Sequence, residues 1–592
     1  MGFTNAAENN VWTLTIVYYF VTAVFFILLK TYSGIIRHST FEDALKLIFA
    51  QLGIYLSLVA VNSFWNYNFH VKLFSNSIFL FGILLGFFGL LLYRILVKML
   101  FEIIAISTSV NPKSKVFIYG HDTYAMSVAN AIKFEKSGKF AVAGFMHSDL
   151  DFNASTLMGL PYVKIRKKIP VHLRHNGAQA LIIADKNLSR EQQLKIVESC
   201  LDYNMMVYTL NVVNKSDEKF TIKNLEIEDL LEREPIQLDK KTISNQLHNK
   251  VVLITGAAGS IGSEMVLQVL AFKPQKLVLI DCAETALHQL KLQLEGLNTP
   301  IDLHYIISDI RDKDLMSSIF ERFQPDVVYH AAAYKHVPMM EENPYQAVLT
   351  NVHGTKIIAD LALQYQVEKF VMVSTDKAVN PSNVMGASKR IAEKYIQSLS
   401  KHPQAIAYAS KFITTRFGNV LGSNGSVVPL FKQQIEKGGP VTITHPDIIR
   451  YFMTISEACQ LVMEAGAMGN GGEIYIFDMG KPVKIIELAN KMIRLAGLIP
   501  NIDIKIDYIG LRPGEKLFEE LLNNSSLTIS THHEKIMIAM EKDENYTDLS
   551  KKIDELITVS RTFDSLNTVT KMKDIVPEFK SMNSTYVSLD IY

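Results

Sequence analysis

The pattern of apolar and polar positions divides the chain near residue 105. Before that point lie three stretches without Asp, Glu, Lys or Arg, at 11–29, 47–65 and 73–93. A bilayer core of about 30 Å takes roughly 20 apolar residues as helix, so each stretch predicts a transmembrane helix. The first lacks the basic start and small-residue cleavage site of a secretory leader. After residue 112, short apolar runs at 115–119, 140–145, 180–184 and 205–208 alternate with helical patterns such as 123–135. Such alternation predicts a parallel α/β sheet. The turn after its first strand, Gly120-His121-Asp122-Thr123-Tyr124-Ala125, has one glycine where a dinucleotide turn uses three. The module at 112–213 is therefore expected to be Rossmann-like without a working nucleotide site. Polar residues 214–249 read as a linker into a second α/β unit, 250–525, and the more polar extension 526–592 carries no recognisable site.

Composition sharpens this picture. With 48% apolar and 20% charged residues in 592, the chain excludes disorder as its main state. A net charge of +1 gives no reason to expect a nucleic-acid partner. The charge is unevenly spread: residues 1–100 hold six basic and three acidic residues, leaving 54 and 56 for the rest. Lys30, Arg37 and Lys46 lie between the first and second apolar stretches, Arg94 and Lys98 follow the third, and only Lys72 lies on the other side. The positive-inside tendency then predicts an external amino terminus and a cytoplasmic body after residue 100, held at the inner membrane in contact with its lipid. Trp12 and Trp65 fall at the predicted outer helix ends, where amphipathic rings favour the interface. Three scattered cysteines, Cys200, Cys282 and Cys459, form neither a disulfide framework nor a CxxC metal site, which suits a reducing compartment.

The second α/β unit opens with the most informative motif. An apolar strand, 251–254, leads into Thr255-Gly256-Ala257-Ala258-Gly259-Ser260-Ile261-Gly262, then a helix, a second strand at 276–280, and Asp281 at its end. Glycines admit a tight turn and close approach of backbone N–H groups to a pyrophosphate, which a helix N-terminus favours. A carboxylate at Asp281 suits a ribose 2′-hydroxyl and repels a 2′-phosphate, favouring NAD over NADP. Further along come Asp309-Ile310, His330-Ala331-Ala332-Ala333, Asn351, and Ser374-Thr375-Asp376-Lys377 followed by Met385-Gly386-Ala387-Ser388-Lys389.

The GxxGxxG spacing and these later marks resemble the extended short-chain dehydrogenase/reductase superfamily. The resemblance implies an adenine contact at Asp309 and Ile310 and cofactor contacts at Ala331 and Ala332. Members usually have Tyr four residues before their Lys, whereas this chain has Met385 before Lys389. Thr375-Asp376-Lys377 resembles the signature of nucleotide-sugar 4,6-dehydratases. With Met385 it resembles the membrane-anchored, CapD-like UDP-N-acetylglucosamine 4,6-dehydratases, whose connector matches Glu234-Pro235-Ile236-Gln237-Leu238-Asp239. That family usually has four membrane helices, against three here.

The resemblance implies oxidation at C4 of the sugar by NAD, loss of water across C5–C6 and hydride return to C6. Asp376 is then expected as general acid for the C6 hydroxyl and Lys377 as base at C5, provided its pKa is lowered. Lys389 would hold the nicotinamide ribose and Thr375 the C4 oxygen. With Met385 in the tyrosine place, either Asp376 or a water relay takes the C4 hydroxyl proton. Asn419 and Arg416 in Thr415-Arg416-Phe417-Gly418-Asn419, with Arg450, Arg512 and Glu515, are expected to bind the UDP-N-acetylhexosamine. A homo-oligomer is also expected. A UDP-sugar 4-epimerase, a polyprenyl-linked sugar-phosphate transferase and a noncatalytic membrane scaffold are the rival readings.

Overall fold

The computed structural model describes residues 3–31, 41–69, 76–107, 113–134, 138–149, 155–214, 219–230, 236, 238–297, 299–519 and 528–590. Arg37, Lys72, Glu234, Pro235 and Gln237 lie outside the described residues. The chain forms two compact units, 1–113 and 114–592.

The first unit consists of helices Phe3–Leu28, Phe41–Phe69 and Asn76–Ser107. Among the described residues, two stretches are long and apolar enough to cross a membrane, Asp43–Asn68 and Leu80–Val97, while the apolar part of the first helix, Thr15–Leu28, is shorter. Phe81 and Leu85 are 71% and 66% exposed, an outward apolar display that water penalises and hydrocarbon does not. Inside the unit, Asn62 Nδ2 donates to Asn76 Oδ1 at 2.8 Å, joining the second and third helices.

The second unit contains two parallel sheets. In the first, β1 Ser114–Tyr119, β2 Phe140–His147, β3 Thr156–Leu157, β4 Leu160–Lys164, β5 Ala180–Ile183, β6 Met206–Asn214 and β7 Lys219–Asn224 run in the order β3-β4-β2-β1-β5-β6-β7. Its central pairings are parallel and β3 and β7 close the edges antiparallel. The helix after β1 begins beneath Asp122, whose Oδ1 accepts the Ala125 N–H at 2.8 Å. A carboxylate thus occupies the terminus where a dinucleotide turn would receive a pyrophosphate.

The second sheet is built from β8 Val251–Thr255, β9 Lys276–Asp281, β10 Asp302–Ile307, β11 Val327–His330, β12 Lys369–Val373 and β13 Lys411–Arg416. A smaller lobe follows, holding β14 Asn419–Val420, β15 Val441–Ile443, β16 Ile449–Met453, β18 Pro482–Lys484 and β19 Ile506–Tyr508, while β17 Ile474–Phe477, β20 Thr528–Ser530 and β21 Ile536–Ala539 return to the main sheet. The order is β10-β9-β8-β11-β12-β13-β17-β21-β20, parallel up to β17. Strands β8 and β11 are buried on both faces, which explains their uninterrupted apolar runs. The chain leaves β8 in one direction and returns on its other side at β11, so the crevice at their carboxyl ends is the topological switch point where such sheets bind ligands.

Two features lie beyond the alternating pattern. The first module packs against the smaller lobe through a shared apolar cluster that includes Phe117, Leu181, Phe431 and Ile485. Lys491–Glu198 at 2.7 Å and Arg494–Asp202 at 2.6 Å flank that junction. The polar tail is also part of the fold: Leu549, Ile553, Val569 and Met572 of helices Tyr546–Ser560 and Ser565–Ile575 pack in one cluster with Ile391 and Tyr395 of helix Val384–Ser400.

Candidate active site

The dinucleotide turn forms as the spacing predicts. Gly256 adopts φ +67°, and a Cβ there would lie 2.7 Å from the Ala332 backbone nitrogen. A Cβ on Gly262 would lie 2.0 Å from the Gly256 carbonyl oxygen, so the helix Ser260–Leu270 seats directly on the turn. That helix has Gly259 at its N-cap and no side-chain cap, which leaves its first N–H groups facing the cleft. Asp281 accepts the Ala258 N–H at 2.9 Å, so the acid at the end of β9 also braces the turn. An uncapped helix start, a turn that only glycine fits, and this acid together suit the pyrophosphate and ribose of NAD.

The other expected cofactor residues divide. Gly256, Gly259, Ser260, Ile261, Gly262, Ala331 and Lys389 line one cleft of about 600 Å³. Asp309 is held by Arg311, whose Nε reaches its two oxygens at 3.0 and 2.9 Å. Ile310 is buried against Gly354, and Ala332 closes on Gly256 through its backbone. His330 bonds Thr255 at 2.7 Å and Thr355 at 2.8 Å, and burial, aided by Lys389, pushes its imidazole down to about 3. It is therefore a neutral link in the core.

The loop after β12 carries Thr375, Asp376 and Lys377. Lys377 Nζ lies 3.0 Å from Asp376 Oδ1, 3.1 Å from Asn419 Oδ1 and 3.4 Å from Glu519 Oε1. Thr375 Oγ1 donates to Asp376 Oδ1 at 2.9 Å. Burial pushes the Asp376 carboxyl above its ordinary value; Lys377 opposes this and Glu519 adds to it. Burial alone would lower the Lys377 ammonium, but Asp376 and Glu519 outweigh it and hold the group above its ordinary value. The lowered Lys377 expected from its role as a base is thus not the resting state, because two carboxylates face it.

Helix Val384–Ser400 delivers Met385 and Lys389 to the same cleft. Asn383 caps it by accepting the Gly386 N–H at 2.8 Å. A Cβ on Gly386 would lie 2.1 Å from the Lys377 carbonyl oxygen, so glycine lets the helix start touch the loop that carries Lys377. Fifteen of the helix's 17 residues are buried, among them Lys389, Arg390, Glu393 and Lys394. Arg390 pairs with Glu541 at 2.5 Å, Lys394 with Glu544 at 3.0 Å, and Glu393 with Arg416 at 2.5 Å. Among the described residues, Lys389 alone of the four has no such partner. Burial pushes its ammonium down to about 8, against the pull of Glu393. A buried amine of this kind facing a cleft makes Lys389 a candidate for a role in the site.

Asn419, Arg450, Arg512 and Glu515 also line the cleft, whereas Arg416 does not. Arg416 is 1% exposed and points into the core, where Nε meets Glu393 at 2.8 Å and a terminal nitrogen meets Glu541 at 2.7 Å. Its expected role in substrate binding is corrected: it lies on β13, and strand alternation turns it toward helix Val384–Ser400. Arg450 spends its donors on the loop at 515–519, reaching the Lys516 carbonyl at 2.8 Å, the Leu517 carbonyl at 3.2 Å and Glu519 at 3.5 Å. Arg512 stands exposed at the wall of the cleft.

Glu519, Lys335 and His336 were missed in the sequence. Glu519 follows Glu515 by four residues, and the unmatched charge of Lys377 was the available signal. Lys335 and His336 line the cleft from the loop after β11. Asn351 fixes that loop, accepting from Tyr334 N at 2.8 Å and donating to its carbonyl at 2.9 Å. It does so from a π-helix, Val348–Gly354, a local widening that recurs at functional sites.

Residues 252–541 match the family described as polysaccharide biosynthesis protein. The chain is 46% identical over 396 residues to the capsular polysaccharide biosynthesis protein CapD of Staphylococcus aureus, covering 66% of this chain and 65% of that one. It is 36% identical over 279 residues to a UDP-N-acetylglucosamine 4,6-dehydratase (inverting) of Campylobacter jejuni, covering 47% of this chain and 78% of the other. It is also 34% identical over 285 residues to a UDP-glucose 4-epimerase of Rickettsia rickettsii, covering 47% and 79%. With its dinucleotide turn, its Thr375-Asp376-Lys377 loop and its cleft all inside the matched region, the chain belongs to the polysaccharide biosynthesis protein family of CapD-like nucleotide-sugar epimerases and dehydratases.

Proposed function

We propose that this protein is an NAD-dependent 4,6-dehydratase acting on UDP-N-acetylglucosamine in surface polysaccharide or glycan synthesis. The observation that carries the reading is Lys377 lining one cleft with Met385, which holds the tyrosine place, while the buried carboxylates of Asp376 and Glu519 pair with that lysine at 3.0 and 3.4 Å. A thioether neither gives nor takes a proton, so chemistry that relies on that tyrosine, as in a 4-epimerase, is poorly served. A carboxyl and an amine 3.0 Å apart suit an elimination, which needs an acid and a base together.

The residues divide the work as follows. Gly256, Gly259, Gly262 and Asp281 would hold NAD, which would supply hydride acceptance and return for the cycle. Lys377 is charged at rest, so to act at C5 it first passes its proton to Asp376 Oδ1 at 3.0 Å, a transfer that burial of both groups favours and their mutual attraction opposes, so that substrate binding must drive it. That transfer leaves a free amine to take the C5 proton and a carboxylic acid to protonate the departing C6 hydroxyl. Thr375 steadies the C4 oxygen, and Lys389 places positive charge beside it. Arg512, Glu515 and Asn419 receive the UDP moiety, while Arg450 shapes the loop that presents them. The two long apolar helices and the basic residues Lys30, Lys46 and Arg94 support an inner-membrane anchor with the catalytic unit in the cytoplasm.

The test is incubation of the purified full chain with NAD and UDP-N-acetylglucosamine, followed by NMR of the nucleotide sugar. A 4-keto-6-deoxy product supports the proposal, a 4-epimer alone replaces it with the epimerase, and an unchanged substrate removes both.

A further inference from the structure

We infer that the C-terminal segment 579–584 is a positioning element of the nucleotide-sugar cleft, fixing the catalytic loop relative to the loop that carries Arg512 and Glu515. The inference rests on the UDP-sugar reading above and assigns a role to residues outside the matched family region, which ends at 541.

Met582 joins the two loops with its own backbone. Its N–H donates to the Ser382 carbonyl at 3.0 Å, and its carbonyl accepts the Gly514 N–H at 2.8 Å. Ser382 stands between Lys377 and the helix that bears Met385, while Gly514 stands between Arg512 and Glu515. Two further bonds reinforce this stitch: Lys580 N–H to the Pro381 carbonyl at 3.1 Å, and the Asn583 side-chain amide to the Glu515 carbonyl at 3.3 Å. The loops also meet directly, Asn383 Nδ2 donating to the Gly514 carbonyl at 3.1 Å. Gly514 adopts φ +77°, and a Cβ there would lie 2.7 Å from Asn383 Cβ, so the two loops approach as closely as backbone allows.

The segment is itself anchored. Ser584 Oγ donates to Glu341 Oε2 at 2.5 Å, and the other oxygen of Glu341 accepts the N–H of Val384, the first residue of the catalytic helix, at 2.7 Å. Lys573 Nζ holds the Phe579 carbonyl at 3.2 Å and Ser581 Oγ at 2.9 Å. The tail therefore ties helix start, catalytic loop and nucleotide loop into one frame. The loop beyond Gly514 continues to Glu519, the carboxylate beside Lys377, so its position governs both UDP contacts and the charge around the base.

Met582→Pro keeps the carbonyl and deletes the N–H that holds Ser382, and Met582→Ala is its control, since that side chain is 45% exposed. The readout is UDP affinity of the detergent-solubilised, NAD-loaded full chain by calorimetry, alongside NAD content and unfolding temperature. We expect UDP binding about tenfold weaker in Met582→Pro, with NAD retained and Met582→Ala unchanged. Asn583→Gly is the second variant: at φ +49° glycine suits the backbone while the bond to Glu515 is lost, and UDP binding should again weaken. If Met582→Pro also loses NAD through misfolding, Asn583→Gly decides. Wild-type UDP affinity in a folded Met582→Pro, or in Asn583→Gly where that variant decides, overturns the inference and leaves the UDP-sugar reading standing. A wild-type chain that does not bind UDP overturns that reading and the inference with it.

Discussion

Arg416→Met separates a structural role from a substrate-binding one. In the folded protein the guanidinium sits against Glu393, whose side chain is 0% exposed, with Nε–Oε1 at 2.8 Å and a terminal nitrogen at 2.5 Å from Oε2. Removing one member of such a buried pair typically costs about 3 to 5 kcal/mol, because the remaining charge is uncompensated. Glu393 keeps Ser374 at 2.6 Å and Arg390 at 3.4 Å, and Glu541 keeps Arg390 at 2.5 Å, so the lower end, about 3 kcal/mol, is expected. The pH dependence follows. Burial would raise the Glu393 carboxyl, but Arg416 outweighs it and holds it below its ordinary value. Its stabilising contribution is present above the unfolded carboxylate pKa of about 4.3 and is lost as pH falls through the lower folded value. The deficit of Arg416→Met should therefore be largest at neutral pH and shrink as pH falls below about 4.3, where the unpaired carboxyl is protonated. Urea unfolding at several pH values measures the deficit, and calorimetry measures UDP affinity of the folded variant. Wild-type stability combined with lost UDP affinity would refute the structural assignment and return Arg416 to the substrate.

Four other outcomes follow from the site. With Lys389 pushed down to about 8 and needed as a cation, kcat/KM should fall as pH rises through that value, and Lys389→Arg should move the alkaline limb upward. Because the folded value lies below the unfolded one of about 10.4, the NAD-free protein should also gain stability between pH 8 and that value, read as a rising unfolding midpoint that Lys389→Met lacks. Gly386→Ala puts a Cβ 2.1 Å from the Lys377 carbonyl oxygen and should cost about 1 to 3 kcal/mol in denaturation while lowering kcat at least as much as it raises KM. Lys377→Ala should abolish turnover with NAD still bound, measured by cofactor content and product formation; normal turnover would remove Lys377 from the mechanism.

Motifs governed by backbone geometry were the most legible. Gly256, Gly259 and Gly262 could be read from spacing alone because a turn, a strand and a helix each limit where a side chain fits, and a Cβ on Gly256 or Gly262 would meet backbone within 2.7 and 2.0 Å. The apolar runs located β8 and β9 because strands buried on both faces tolerate little else. Long-range partners were not legible. Arg416 reads as a cation beside a binding motif, and only folding reveals that Glu393 and Glu541, 23 residues before it and 125 after it, surround it. Asp376, and with it the distant Glu519, reverses the expected state of Lys377, and only the first of these is adjacent in the sequence. The tail reads as polar because its apolar residues are spaced for two amphipathic helices whose inner faces meet Val384–Ser400, a pairing that local periodicity does not encode. In the first α/β module the single glycine at Gly120 is the basis for expecting no dinucleotide, and the structure adds only that the Asp122 carboxylate accepts an N–H at the helix start there.

The central claim is an internal redox elimination in one cleft, and an isotope tests it most directly. UDP-N-acetylglucosamine carrying deuterium at C4, incubated with the purified full chain and NAD, should yield a 4-keto-6-deoxy sugar whose C6 methyl bears the label by NMR. Deuterium retained at C4 in a 4-epimer, or a substrate returned unchanged, would contradict it.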